Sequence, residues 1–187
     1  RFFITIVYSL VLFLGLSAII FTLNQLLNIP VRSNFYYYTW LVTAGVFAPI
    51  FFLTGVPSSN ERLMPDEYPK FFKVLILYIV MPLITIYLGI LYIYFAKIII
   101  TQVWPSGLVS HLVIWYSAIC VAVIFLITPI KDAIWVTKFI FIFPKLILPI
   151  LAMMFTSMGI RIKSYGLTEN RYYVVVLGLW ILFAMLY

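Results

Sequence analysis

Glu61, Asp66 and Glu67 stand close together in the polar stretch 58–69, where three carboxylates could hold a hard cation through oxygen. Arg62, Lys70 and Lys73 stand among them, so a solvated charged loop explains the cluster better than a metal site does. His111 is the single histidine and cannot by itself supply the roughly four ligands that zinc takes. With Ser106 and Ser110 beside it, His111 reads as a polar residue near a helix start. Cys120 is the single cysteine, so no internal disulfide can form. Its neighbours Ile119 and Val121 suggest a buried thiol without the electropositive setting that makes a thiolate. No glycine-rich phosphate loop, nucleophile elbow or metalloprotease motif occurs. The sequence thus offers no catalytic residue, no metal site and no cofactor site, and catalysis is the weaker reading.

One polar segment, 161–173, is more distinctive. Gly166 can take the left-handed conformation that ends a helix, and Thr168 can cap the next one. Glu169 then falls in a first helical turn, where the helix dipole favours negative charge. Tyr172 and Tyr173 suit a membrane interface. A hairpin between two helices accounts for these residues. A functional reading would use Tyr165, Gly166, Thr168, Glu169, Asn170 and Arg171 as a polar loop at the membrane surface.

The elements that must position these residues are membrane spans. Hydrophobic residues make up 66% of the 187-residue chain and charged residues 9%; the mean hydropathy is +1.18. A soluble domain carries about 25% charged residues. Runs such as 2–27 and 74–96 hold no charge, and about 20 helical residues cross a hydrocarbon core of about 30 Å. The expected fold is all-α: a polytopic transmembrane bundle of five to six spans, near 2–27, 38–55, 71–96, 108–127, 144–160 and 172–187. Pro49 and Pro82 should kink the second and third spans. Val103 to Gly107 reads as a tight turn with an interfacial tryptophan, Trp104. Lys131, Lys138 and Lys145 recur every seven residues, which predicts a helix near 131–143 lying in the interface, with Pro144 restarting the chain as the fifth span. The other reading is one long, tilted fifth span starting near Ile134, with Lys138 snorkelling.

The net charge of +7 does not point to nucleic acid, because the cations stand at the ends of apolar runs, where they meet lipid headgroups. Tyr8, Gly15 and Thr22 in the first span, and Tyr78, Thr85, Gly89 and Tyr92 in the third, form small or polar stripes at helical spacing. They are expected to pack against other helices, with hydroxyls bonding across the contact. A substrate path would need an ionisable group at mid-membrane, and the expected spans hold none.

Loops of six spans fall on alternating sides. Arg1, Arg62, Lys70, Lys73, Lys131, Lys138 and Lys145 share one side; Arg32, Lys97, Arg161, Lys163 and Arg171 share the other. The cation excess puts the first side in the cytoplasm and the hairpin outside. The chain reads as a single transmembrane domain and as a piece of a longer protein: it opens on Arg1 directly before a span and ends at Tyr187 inside another.

The run YGLTENRYY, from Tyr165 to Tyr173, followed by an apolar span, resembles the signature of the bacterial membrane family called domain of unknown function 4153. PDEYP from Pro65 and WPSGL from Trp104 are similar to that family too, and the resemblance covers residues 51–187. It implies a bacterial source, a polytopic fold and a longer chain, but no established activity. The expectation is a multi-pass protein of the bacterial inner membrane, structural or accessory in role, with membrane lipids and membrane protein subunits as partners and no nucleic acid. The second reading is a transporter-like protein or a membrane enzyme acting on a lipid-linked or cell-envelope substrate, with the 165–171 loop at its mouth.

Overall fold

The computed structural model describes residues 2–27, 30–54, 70–101, 107–129 and 134–186. The acidic loop with Glu61, Asp66 and Glu67, the turn with Trp104, and Arg1, Asp132 and Lys131 lie outside the described residues. In chain order the helices are α1 (Phe2–Leu27), α2 (Asn34–Val42), α3 (Ala48–Thr54), α4 (Lys70–Val74), α5 (Met81–Thr101), α6 (Gly107–Ile127), α7 (Ile134–Tyr165) and α8 (Glu169–Leu186). No strand occurs among the described residues. Six stretches are long and apolar enough to cross a membrane. The protein is a multi-pass α-helical membrane protein, and the reason is elementary: in lipid each backbone donor and acceptor must be satisfied within its own segment.

Two prolines are accommodated in the same way. Between α2 and α3 the chain winds as a π-helix, Thr43–Phe47, and between α4 and α5 as another, Leu75–Val80. Each ends two residues before a proline, Pro49 or Pro82. A proline ring clashes with the carbonyl four residues back and leaves it without a donor. Widening the turn relieves that clash: Ala48 N–H reaches the Thr43 carbonyl and Met81 N–H the Ile76 carbonyl, both five residues back. The second span is therefore continuous from Asn34 rather than from residue 38.

The fifth span corrects a sequence expectation. No separate interfacial helix ends at Phe143, and no span starts at Pro144. One helix of 32 residues runs from Ile134 through Pro144 and Pro149 to Tyr165. A break would leave several backbone groups unsatisfied, whereas a proline inside a continuing helix removes a single donor.

The chain divides into two compact units, Arg1–Tyr87 and Leu88–Tyr187. In the first, α1 packs against α2, α3 and both π segments. Tyr8 is buried there, edge-on to Phe51 at 4.7 Å between ring centroids, a contact contributing about 0.5–1.5 kcal/mol beyond area burial. In the second, α6, α7 and α8 pack on one another around Val113, Ile127, Ile147, Leu151, Met154 and Ile181. Gly178 sits where α8 approaches α7: a Cβ built on it would lie 2.8 Å from Met154 Cε and 2.9 Å from Phe155 Cζ. Cys120 is fully buried in this unit.

Candidate functional site

The hairpin between α7 and α8 forms as the local chemistry requires. Gly166 takes φ +77°, the left-handed region that glycine tolerates. Its N–H donates to the Ile162 carbonyl at 2.9 Å, closing α7. Thr168 stands at the N-cap position of α8, its carbonyl accepting the Tyr172 N–H at 3.0 Å. Glu169 occupies the first turn of α8. Arg171 donates from Nη1 to the Gly166 carbonyl, and its guanidinium lies 5.8 Å from the Tyr165 ring centroid. The arginine thus fastens the turn that precedes it. Glu169 and Asn170 are exposed, and a small hollow of about 280 Å³ lies among Leu167, Thr168, Glu169, Tyr172 and Tyr173.

The first-span stripe packs. Tyr8 and Thr22 are each 1% exposed, and a side chain at Gly15 would collide with Leu83. Thr22 donates to its own Ala18 carbonyl at 2.8 Å and accepts from the Tyr87 hydroxyl, so one hydroxyl bridges two helices. The third-span stripe lies differently. Tyr78 is 69% exposed, and Thr85 and Gly89 are exposed as well, with nothing within 4 Å of a Cβ placed on Gly89. Within this chain, then, these three do not form the helix contact expected of them. Thr85 explains how it can face lipid: its hydroxyl donates to the Met81 carbonyl at 2.8 Å and needs no partner from another helix. Tyr92, on the same helix, does reach across, donating to the Leu146 carbonyl of α7 at 2.7 Å.

Two further features were missed from sequence. A cavity of about 550 Å³ opens among α1, α2, α3 and the first π segment, lined mainly by apolar side chains with the hydroxyls of Thr5, Ser9 and Thr43. Alternating aliphatic and hydroxyl residues on two separate helices give no local signal for it. The other is Lys145. Once α7 is continuous, this residue stands eleven positions inside a membrane helix, about 16 Å from Ile134. Its amine rests 3.6 Å from the Phe141 ring centroid. The seven-residue spacing of the lysines is visible in the sequence, but Pro144 suggests a helix boundary where there is none.

Comparisons with known proteins agree with this architecture. The model of a family described as Domain of unknown function (DUF4153) matches residues 1–187. The uncharacterized protein PM1469 of Pasteurella multocida (strain Pm70) is 30% identical over 151 residues, which is 79% of this chain and 26% of that protein. The chain therefore spans about a quarter of the length of this relative. No solved structure matches it.

Proposed function

Since the chain belongs to the family described as Domain of unknown function (DUF4153), we propose that it is a membrane-embedded structural or accessory module of the bacterial inner membrane, one that holds partner helices and lipids. The observation that carries this reading is the outward face of the third span. Thr85 and Gly89 lie exposed on it, and a Cβ at Gly89 meets nothing. Small residues let a neighbouring helix come close, and a hydroxyl already bonded to its own helix carries no unmet donor into the contact. The hairpin supports the same reading, because Arg171 is engaged with Gly166 and Tyr165 as a fastening.

Native mass spectrometry of the full-length protein released from its own membrane tests the proposal. The expected spectrum shows added masses of subunits or phospholipids. Gly89→Phe should lose the subunit mass while the protein stays folded. A bare protein mass from the native membrane, with Gly89→Phe identical to the parent, would overturn the proposal.

A further inference from the structure

We infer that the N-terminal part of α7 is a binding site for an anionic phospholipid headgroup, held between the amines of Lys138 and Lys145. The inference names the lipid class within the accessory reading above and rests on it. Lys138 and Lys145 are both exposed on one unbroken helix. Seven residues bring a helix round to within about 20° of the same side, and they rise about 10 Å. The two cations therefore stand one above the other, at a separation that two lysine side chains can close around a phosphate.

The direction of Lys145 matters most. Residues 146–160 carry no charge, and at 1.5 Å each they make about 22 Å, less than the hydrocarbon core of about 30 Å. Lys145 consequently stands near the hydrocarbon boundary, where a bare ammonium is poorly tolerated. Its amine turns back toward the helix start, settling over the Phe141 ring one turn away. That brings it toward Lys138 and toward the headgroup layer. Phe141, Ile142 and Trp135 are exposed around the pair and offer apolar surface to the upper part of the lipid.

Among the described residues the one carboxylate is Glu169, which belongs to the hairpin at the opposite end of α7. Within the described structure the two cations have no protein anion beside them, and a lipid phosphate supplies one. A net-anionic headgroup fits better than a zwitterionic one, whose own ammonium would meet two like charges.

The test uses the full-length protein in nanodiscs of phosphatidylglycerol with phosphatidylethanolamine, and in nanodiscs of phosphatidylcholine, read by native mass spectrometry. The protein should retain phosphatidylglycerol in preference to phosphatidylcholine. Lys138→Gln and Lys145→Gln should each weaken that retention about fivefold, and the double variant about 25-fold. Lys138→Arg with Lys145→Arg should keep it, and Lys163→Gln, at the far end of α7, should leave it unchanged. Equal retention of the two lipids, or a double glutamine variant that behaves like the parent, overturns the inference. So does displacement of the lipid by millimolar inorganic phosphate, which would mark a site for free anions. If lipid persists unchanged in the double variant, only this site fails; if no lipid or subunit is retained from the native membrane, the accessory reading fails with it.

Discussion

Tyr92 of α5 donates its hydroxyl proton to the carbonyl oxygen of Leu146, three residues before Pro149 in α7. The bond ties two helices of the second unit at a place where a proline disturbs the backbone. Pro149 has no N–H for the Lys145 carbonyl, and its ring crowds the turn that contains Leu146. A side-chain donor from another helix helps satisfy that turn, as buried membrane helices require. Tyr92→Phe should lower stability by about 1 kcal/mol, and Tyr92→Leu by more. Unfolding in mixed detergent micelles, followed by circular dichroism, measures the difference.

The glycines separate by surroundings. Gly178→Leu should destabilise the protein by about 1–3 kcal/mol, because α8 cannot approach Met154 and Phe155 with a side chain between them. Gly15→Leu should do the same through Leu83. Gly89→Ala meets open space and should raise stability by about 0.5–1 kcal/mol through helix propensity alone. The same unfolding assay orders the three.

The hairpin depends on one left-handed residue. Gly166→Ala should cost about 1–2 kcal/mol, and Gly166→Asn less. Arg171→Gln should loosen the turn without altering the helices. Limited proteolysis at 165–169 should quicken in the Ala and Gln variants, and equal rates in all would show that the fastening has no role.

Topology follows from counting crossings. Because α7 crosses once from Ile134 to Tyr165, the number of spans is six and the side assignment of the loops is preserved. A cysteine at Ser164 should react with a membrane-impermeant maleimide in intact spheroplasts, and one at Ser59 only after the membrane is opened. Cys120 is fully buried and should give no background. The reverse pattern would invert the orientation.

The helical, membrane-spanning character was legible because apolar runs of sufficient length leave the backbone no alternative. The hairpin was legible from Gly166, Thr168 and Glu169, whose preferences are local. What could not be read depended on partners. Thr85 resembles Thr22 in sequence setting, yet only Thr22 meets a tyrosine from another helix. Pro144 resembles a boundary, yet the helix continues past it because lipid penalises a break more than a lost donor. Lys145 acquired its meaning only after that continuity was known.

The two π turns carry a different consequence. A π turn holds a residue more than the α turn it replaces, so Thr43–Phe47 and Leu75–Val80 each contain one surplus position. Deleting one residue there would let an ordinary α-helix close, but everything beyond would rotate by about 100°. Phe51 would swing away from Tyr8. The wide turns therefore set the angular phase of the spans that follow them, and they mark where the chain could gain or lose a single residue while keeping its helices intact.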